Sequence, residues 1–178
     1  TVTFNGEIYN FKELRAELEK KYRFRSASDT EVILYAYREW GKDAVKRLNG
    51  IFAFAVWDSD REELFLARDH NGIKPLYYFF DGARFIFSSE IKAILEHAIP
   101  REVDRDALNL YMRLLYVPEP HTMFQGIKKL PPAHYALLNG SRLTLERYWA
   151  VMDFTPVAAR TEAIENIREL FLDSIRRQ

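Results

Sequence analysis

The sequence predicts an α+β fold in which antiparallel strands pack against amphipathic helices. Residues 51–57 form a strand-like run that is apolar on both faces, so we expect both faces to be covered. Turn signals separate the strand-like runs that follow, which is typical of successive hairpins. Aromatic residues make up 15% of the chain, which suits packed sheets better than a helix bundle. Two packed sheets flanked by helices satisfy these patterns, and so does one sheet with helices on both faces.

The first helices are predicted from their start and stop signals. Asn10 and Ser28 each stand three residues before a glutamate, which is the pattern of a capping box. Gly41 is a suitable stop for the second helix. The helices predicted in this half of the chain cover residues 10–22, 28–41 and 44–48.

The later elements are predicted from period-two and three-or-four spacing of apolar residues. Asn139 and Gly140 mark the turn of a last hairpin. The predicted strands of the whole chain are 1–4, 51–57, 64–67, 76–80, 85–87, 135–138 and 143–145. The predicted helices are 90–97, 104–115 and 164–175, the last following a linker at 153–159. Because both ends of the chain fall inside predicted elements, we expect a fragment of a longer protein.

Composition excludes several functions. The chain has 178 residues with 26 basic and 26 acidic side chains, so its zero net charge does not support a nucleic-acid partner or an anionic membrane surface. It has no apolar run long enough to span a membrane. It has no cysteine, which removes disulfides, thiolate metal sites and a cysteine nucleophile. The four histidines show no metal-ligand spacing.

Asn5, Gly6 and Glu7 are the first candidate site. An asparagine amide and a neighbouring glycine N–H can converge on one oxygen, as stabilisation of a tetrahedral acyl-transfer oxyanion requires. Glu7 could accept hydrogen bonds from a substrate ammonium group. The alternative is a plain turn followed by a solvated glutamate.

Asp29 and the 68–74 segment are further candidates with structural alternatives. The pattern favours a structural role for Asp29, since a first-turn aspartate is stabilised by the helix dipole alone; a substrate-ammonium role is the alternative. Arg68 and Asp69 either pair with each other or hydrogen-bond to loop backbone. Lys74 is more readily an exposed loop residue than a ligand contact. Thr1 is not favoured as an N-terminal nucleophile, since it opens a strand.

Taken together, these motifs resemble those of glutamine-hydrolysing asparagine synthetases. Their order matches over nearly the whole chain. The matching segments are 4–10, 28–31, 50–55, 68–69, 72–78, 88–93, 116–120, 129–132 and 148–149. One departure is Ala133, which stands where the family usually has glycine.

The resemblance implies a class II glutamine amidotransferase domain with the N-terminal nucleophile hydrolase fold. That fold is a four-layer α-β-β-α sandwich of two antiparallel sheets, expected here to be incomplete at its N-terminus. By the same resemblance, Asn5 and Gly6 occupy the oxyanion-hole positions, while Glu7 and Asp29 hold the α-ammonium group of the substrate glutamine. The family's nucleophilic cysteine and its carboxylate-binding arginine lie upstream of the matching segments, so we expect this chain alone to be inactive.

The implied organisation is a glutaminase domain over residues 1–152, lacking its first strands, and a linker with a first helix over 153–178. The helix would lead toward a synthetase domain, where ATP and Mg²⁺ are expected; no cofactor is expected in the glutaminase domain. The implied parent is a cytoplasmic enzyme that transfers ammonia from glutamine to aspartate, and a homodimer is left open. Two alternatives remain: an amidotransferase-like protein with another acceptor, and a catalytically inactive binding module.

Overall fold

The computed structural model describes residues 1–151 and 159–177 as eight strands and five α-helices, with one short 3₁₀ helix at Gly41–Lys46. The strands are β1 Val2–Ile8, β2 Gly50–Asp58, β3 Glu63–Arg68, β4 Tyr77–Phe80, β5 Phe85–Ser88, β6 Ile127–Lys129, β7 His134–Asn139 and β8 Arg142–Arg147. The helices are α1 Phe11–Leu18, α2 Asp29–Trp40, α3 Ile91–Leu95, α4 Arg105–Leu114 and α5 Arg160–Arg177.

The strands form two antiparallel sheets. The larger, which we call sheet A, has the order β1-β2-β3-β7-β8, and the smaller, sheet B, has the order β5-β4-β6. The hairpins predicted at β2–β3, β4–β5 and β7–β8 are present. The hairpin predicted between β3 and β4 is wrong, because β3 pairs with β7 and the chain crosses to sheet B at β4. In the part of the chain that the structure describes, β1 and β8 are the edge strands of sheet A.

Both faces of β2 are buried, as its sequence predicts. Phe52, Phe54 and Val56 lie in a core shared with α1 and α2, whereas Ala53 and Ala55 contribute to a second core between the two sheets. The small alanines on the inner face let the sheets approach each other.

A third core lies on the other face of sheet B, where Ile94 of α3 packs with Phe79 and Ile127. Three cores therefore separate four layers, helix–sheet–sheet–helix, and the expectation of an α-β-β-α sandwich is confirmed. The open choice between one sheet and two is decided by the inner core, in which residues of sheet A pack against Phe85 and Phe87 of sheet B rather than against a helix.

The prediction of a capping box at Asn10 is wrong. Its side chain does not cap α1; the amide donates to the Arg47 carbonyl at 2.9 Å and its oxygen accepts from Asn49 N–H at 2.9 Å. The bonds tie the start of α1 to the segment before β2. Helix α1 also ends at Leu18, four residues before the predicted end.

The second capping box is half right. Ser28 Oγ accepts from Thr30 N–H at 3.1 Å and caps α2 as predicted. Glu31 does not return a bond to Ser28; it accepts the backbone N–H groups of Arg25 and Ser26 and so holds the loop before the helix. Local spacing therefore predicts the Ser28 cap but not the partners of Glu31, which lie in the loop before the helix.

The C-terminal helix α5 forms where it is predicted, and its apolar side chains are exposed among the described residues. The predicted linker at 153–159 and the predicted domain boundary after residue 152 fall on or beside residues outside those that the structure describes. Within the described ranges, the structure contains no helix with the length and apolar character needed to cross a bilayer.

Candidate active site

The backbone N–H and C=O groups of successive β1 residues point alternately toward the partner strand β2 and toward the open edge of sheet A. At one end Thr1 exchanges bonds with Trp57, and at the other Tyr9 N–H donates to the Asn49 carbonyl at 2.8 Å. The register between these ends is regular, so odd-numbered residues of β1 direct their backbone groups toward β2. Even-numbered residues direct theirs away from it, and the N–H of Gly6 therefore lies at the open edge of sheet A.

Asp29 reaches this same edge from the start of α2. Its Oδ2 accepts the backbone N–H of Ile8 at 3.1 Å, which is the next edge-facing N–H after Gly6. Since Ser28 supplies the side-chain cap of α2, the Asp29 carboxylate is directed to the strand rather than used as the cap. The bond joins the two separate segments that the sequence singles out, and it places Asp29 beside the end of β1.

Asn5 and Glu7 lie on the face of sheet A that looks toward sheet B, since their register partners include Ala53 of the inner core. Asn5 Nδ2 donates to Ser89 Oγ at 3.2 Å. A cavity of about 420 Å³ adjoins this pair and is lined also by Leu76 and Phe87. Glu7 is exposed, and among the described residues no protein group hydrogen-bonds its carboxylate.

Gly6 is required by packing as well as by backbone conformation. Its φ is 149°, in the region that favours glycine. A Cβ there would lie 2.1 Å from the Ile51 carbonyl oxygen and 2.7 Å from Phe52 Cα, both of them backbone atoms. A side chain at this position would push β1 away from β2 and move the Asn5 amide with it.

These four residues form what we call the β1 edge: Asn5, Gly6, Glu7 and Asp29. It offers two N–H donors, suited to a developing oxyanion, and two carboxylates, suited to an ammonium group. Asn5 lines the cavity between the sheets, whereas Glu7 and Asp29 lie outside that cavity's lining.

The 68–74 loop shows a different use of polar groups. Asp69 is buried, and its carboxylate accepts four backbone N–H groups. The donors are Phe52 at 3.2 Å, Asn71 at 3.1 Å, Ile73 at 2.9 Å and Lys74 at 3.0 Å. Asp69 therefore binds loop backbone and does not pair with Arg68, which answers one choice that the sequence leaves open.

Arg68 is buried as well, and its guanidinium donates to the carbonyls of Gly72, Lys74 and Leu130. Its charge is matched by Glu119 at 3.0 Å, which also contacts Lys129. Sequence analysis missed Glu119, because the partners are 51 positions apart and no local pattern joins them. Lys74 contributes backbone groups to this network.

A second cavity, of about 560 Å³, lies at the end of the strands beside His70, Ile73 and Trp149. The His70 ring packs edge-on against Tyr148 and Trp149, with ring centroids 5.3 and 5.2 Å apart. Burial lowers the pKa of His70, and the charge of Asp69 opposes that shift. Burial raises the pKa of Tyr148, whose hydroxyl donates to the Arg68 carbonyl at 2.7 Å. Within residues 1–151 and 159–177, His, Asp and Glu side chains form no cluster that could hold a metal ion.

The sequence profile described as "Glutamine amidotransferase domain" matches residues 1–149. The chain belongs to this glutamine amidotransferase family. All four residues of the β1 edge lie within the matched region.

Two relatives of this amidotransferase domain come from Bacillus subtilis (strain 168). The chain is 45% identical to "Asparagine synthetase [glutamine-hydrolyzing] 3" over 181 residues and 38% identical to "Asparagine synthetase [glutamine-hydrolyzing] 1" over 177 residues. The alignments cover 100% and 98% of this chain but 30% and 28% of those proteins. The chain thus spans about a third or less of the length of the relatives it matches.

A solved structure with the same fold is the glutamine phosphoribosylpyrophosphate amidotransferase of B. subtilis, complexed with ADP and GMP. It superimposes with a TM-score of 0.58 at 21% identity, over 83% of this chain and 29% of that one. At this identity the likeness shows the fold of the amidotransferase domain.

Proposed function

We propose that this chain binds glutamine at the β1 edge and stabilises the oxyanion formed during hydrolysis of the glutamine side-chain amide. The observation that carries the proposal is the register of β1, which presents the Gly6 N–H at an open edge next to the Asn5 amide. When a nucleophile adds to the amide carbon, negative charge develops on the carbonyl oxygen. Two positioned N–H donors stabilise that charge more than they stabilise the neutral amide.

The two carboxylates of the β1 edge would hold the α-ammonium group of glutamine. Asp29 Oδ2 accepts from Ile8 N–H and Oδ1 accepts from Ser28 Oγ at 3.4 Å, and each oxygen keeps a further lone pair for a substrate donor. Glu7 has both oxygens available to a ligand among the described contacts. Each hydrogen bond to a charged group contributes about 1.5–3 kcal/mol, so two carboxylates favour an amino acid over a simple amide.

The sequence contains no cysteine, and the 178 residues therefore hold none of the thiol chemistry that the family resemblance implies. We propose that the attacking group belongs to a longer protein that carries this chain, and that the 178-residue chain alone releases no ammonia from glutamine. Turnover by the isolated chain that is lost in an Asn5→Ala variant would contradict this.

The parent protein we propose is a cytoplasmic asparagine synthetase. Ammonia from this domain would amidate aspartate in a synthetase domain that binds ATP and Mg²⁺, and the protein could assemble as a homodimer. Identities of 45% and 38% to proteins named asparagine synthetases support this acceptor. The fold alone does not select it, since the phosphoribosylpyrophosphate amidotransferase has the same fold.

Glutamine hydrolysis by the full-length protein tests the proposal. Asp29→Asn keeps an oxygen for the Ile8 N–H and removes the charge, so the KM for glutamine should rise about 10- to 100-fold with the fold intact. Glu7→Gln should act in the same direction. Asp43→Asn, at an exposed carboxylate paired with Lys46, is the matched control and should leave KM unchanged.

An unchanged KM in both Glu7→Gln and Asp29→Asn would remove the proposed ammonium site. Absence of hydrolysis in the full-length protein would favour the alternative of an inactive binding module.

A further inference from the structure

The side chain of Asn5 makes one described hydrogen bond, and that bond crosses between the two sheets. Asn5 lies in sheet A, and Ser89 directly follows β5 of sheet B. The donor Nδ2 and the acceptor Oγ are 3.2 Å apart, and the residues are 84 positions apart in sequence. We propose that Ser89 is a positioning residue that holds the Asn5 amide in the orientation needed to donate to the oxyanion; this inference rests on the proposed function.

The chemistry of an asparagine amide makes such a holding contact useful. The terminal torsion of asparagine is broad, so an amide without a partner samples many orientations. Its NH₂ group carries two hydrogens, and a bond from one of them to Ser89 leaves the other for the substrate oxygen. A donor that is already fixed needs no reorganisation when charge develops, and this is the condition under which an oxyanion hole is most effective.

Ser89 is itself held by ordered structure. Strand β5 pairs with β4 up to Ser88, and Phe87 packs against the core between the sheets. Helix α3 begins two residues after Ser89. The hydroxyl that faces Asn5 is therefore carried between a strand end and a helix start, and sheet B fixes a group on sheet A.

Ser88 provides a matched control. It is the preceding residue, it is partly buried like Ser89, and it has the same side chain. Its hydroxyl accepts the Glu90 N–H at 3.2 Å and so supports the turn into α3 rather than the Asn5 amide. Removing the two hydroxyls in turn separates a role in positioning Asn5 from a general role of this turn.

The test is a double-mutant cycle in the full-length protein, with kcat and KM measured for glutamine hydrolysis. Asn5→Ala should lower kcat about 100- to 1,000-fold. Ser89→Ala should lower kcat about 5- to 10-fold, as expected for loss of one hydrogen bond, with KM little changed because Glu7 and Asp29 are untouched. In the Asn5→Ala background, Ser89→Ala should have no further effect on kcat. Ser88→Ala should leave kcat at the wild-type value.

Two results overturn this inference but not the proposed function. The first is a wild-type kcat in Ser89→Ala when Asn5→Ala is impaired. The second is an equal fall in kcat on Ser89→Ala in the wild-type and Asn5→Ala backgrounds. The second result would indicate a general structural effect, which thermal unfolding of each variant would also show. If the wild-type full-length protein does not hydrolyse glutamine, or if Asn5→Ala is fully active, the proposed function itself fails. The two failures are thus distinguished by the Asn5→Ala variant.

Discussion

The β1 edge and the 68–74 loop both carry conspicuous polar residues in sequence, but the fold uses them in opposite ways. In the loop, Asp69 accepts four backbone N–H groups and Arg68 donates to three carbonyls and Glu119. Both residues are 1% exposed. At the β1 edge, Asn5 has one described partner and Glu7 has none among the described residues.

This difference separates residues that hold the fold from residues available to a ligand. A buried charge is tolerated only when its hydrogen bonds are made, and once they are made it has little capacity left for substrate. A partly exposed polar group with unused donors or acceptors retains that capacity. The loop therefore fixes the start of β2 through the Phe52 N–H, while the β1 edge, paired to the same strand, is where we propose that substrate binds.

The largest expected effect is on stability, from Asp69→Ala. Four backbone donors would lose their acceptor, and each unsatisfied buried donor costs about 1–3 kcal/mol. We expect the free energy of unfolding of the full-length protein's amidotransferase domain to fall by more than about 3 kcal/mol. Denaturant unfolding followed by tyrosine and tryptophan fluorescence measures this. A near-wild-type midpoint would mean that the loop does not depend on Asp69.

Gly6→Ala tests whether the β1 edge also depends on packing. The added Cβ would meet backbone atoms at 2.1 and 2.7 Å, so we expect a loss of at least about 2 kcal/mol in unfolding free energy. Gly140→Ala is the control, since its φ is 55° and a Cβ there meets nothing within 4 Å. If both variants lost the same unfolding free energy, the loss in Gly6→Ala would come from its backbone conformation and not from contact with β2.

Glu119→Gln sharpens the comparison at the buried arginine. It removes the charge opposite Arg68 and should cost about 2 kcal/mol, as for a hydrogen bond between charged groups in a partly buried site. Glu17→Gln removes the exposed partner of Arg47 and should cost less than about 1 kcal/mol. Urea unfolding measures both losses. A larger loss of unfolding free energy in Glu17→Gln than in Glu119→Gln would contradict a stabilising role of the Arg68 network.

The smallest effect concerns pH. Burial lowers the pKa of His70 from its usual 6.5, so the unfolded state takes up a proton before the folded state as pH falls. The free energy of unfolding should therefore decrease as the pH falls through 6.5 toward the lower pKa of the folded state. Well above pH 6.5 His70 is neutral in both states, so it should add no further pH dependence. His70→Asn should reduce this pH dependence of unfolding, whereas His97→Asn, at an exposed histidine, should preserve it.

The architecture was largely predictable because its signals are local. The run at 51–57 needs cover on both faces whatever the rest of the chain does, and the Asn139-Gly140 turn specifies its own hairpin. Periodicity could not choose between one sheet and two, because that depends on whether the inner face of β2 meets a helix or a strand; only the family resemblance indicated two sheets.

The site was predictable only in part, since its contacts join distant segments. The Asn5-Gly6-Glu7 pattern could be read as an oxyanion motif, and resemblance raised Asp29 above a capping role. Neither pattern shows that Asp29 bonds to Ile8, 21 positions away, or that Asn5 meets Ser89. Asn10 was misread for the same reason, because its amide binds a segment nearly 40 positions away.

The measurement that tests the central claim most directly is kcat for glutamine hydrolysis by the full-length protein carrying Asn5→Ala, with its thermal unfolding measured alongside. We predict a fall in kcat of about 100- to 1,000-fold, with an unfolding midpoint close to that of the wild type. An unchanged kcat would contradict the account, because the Asn5 amide would then not act on the substrate.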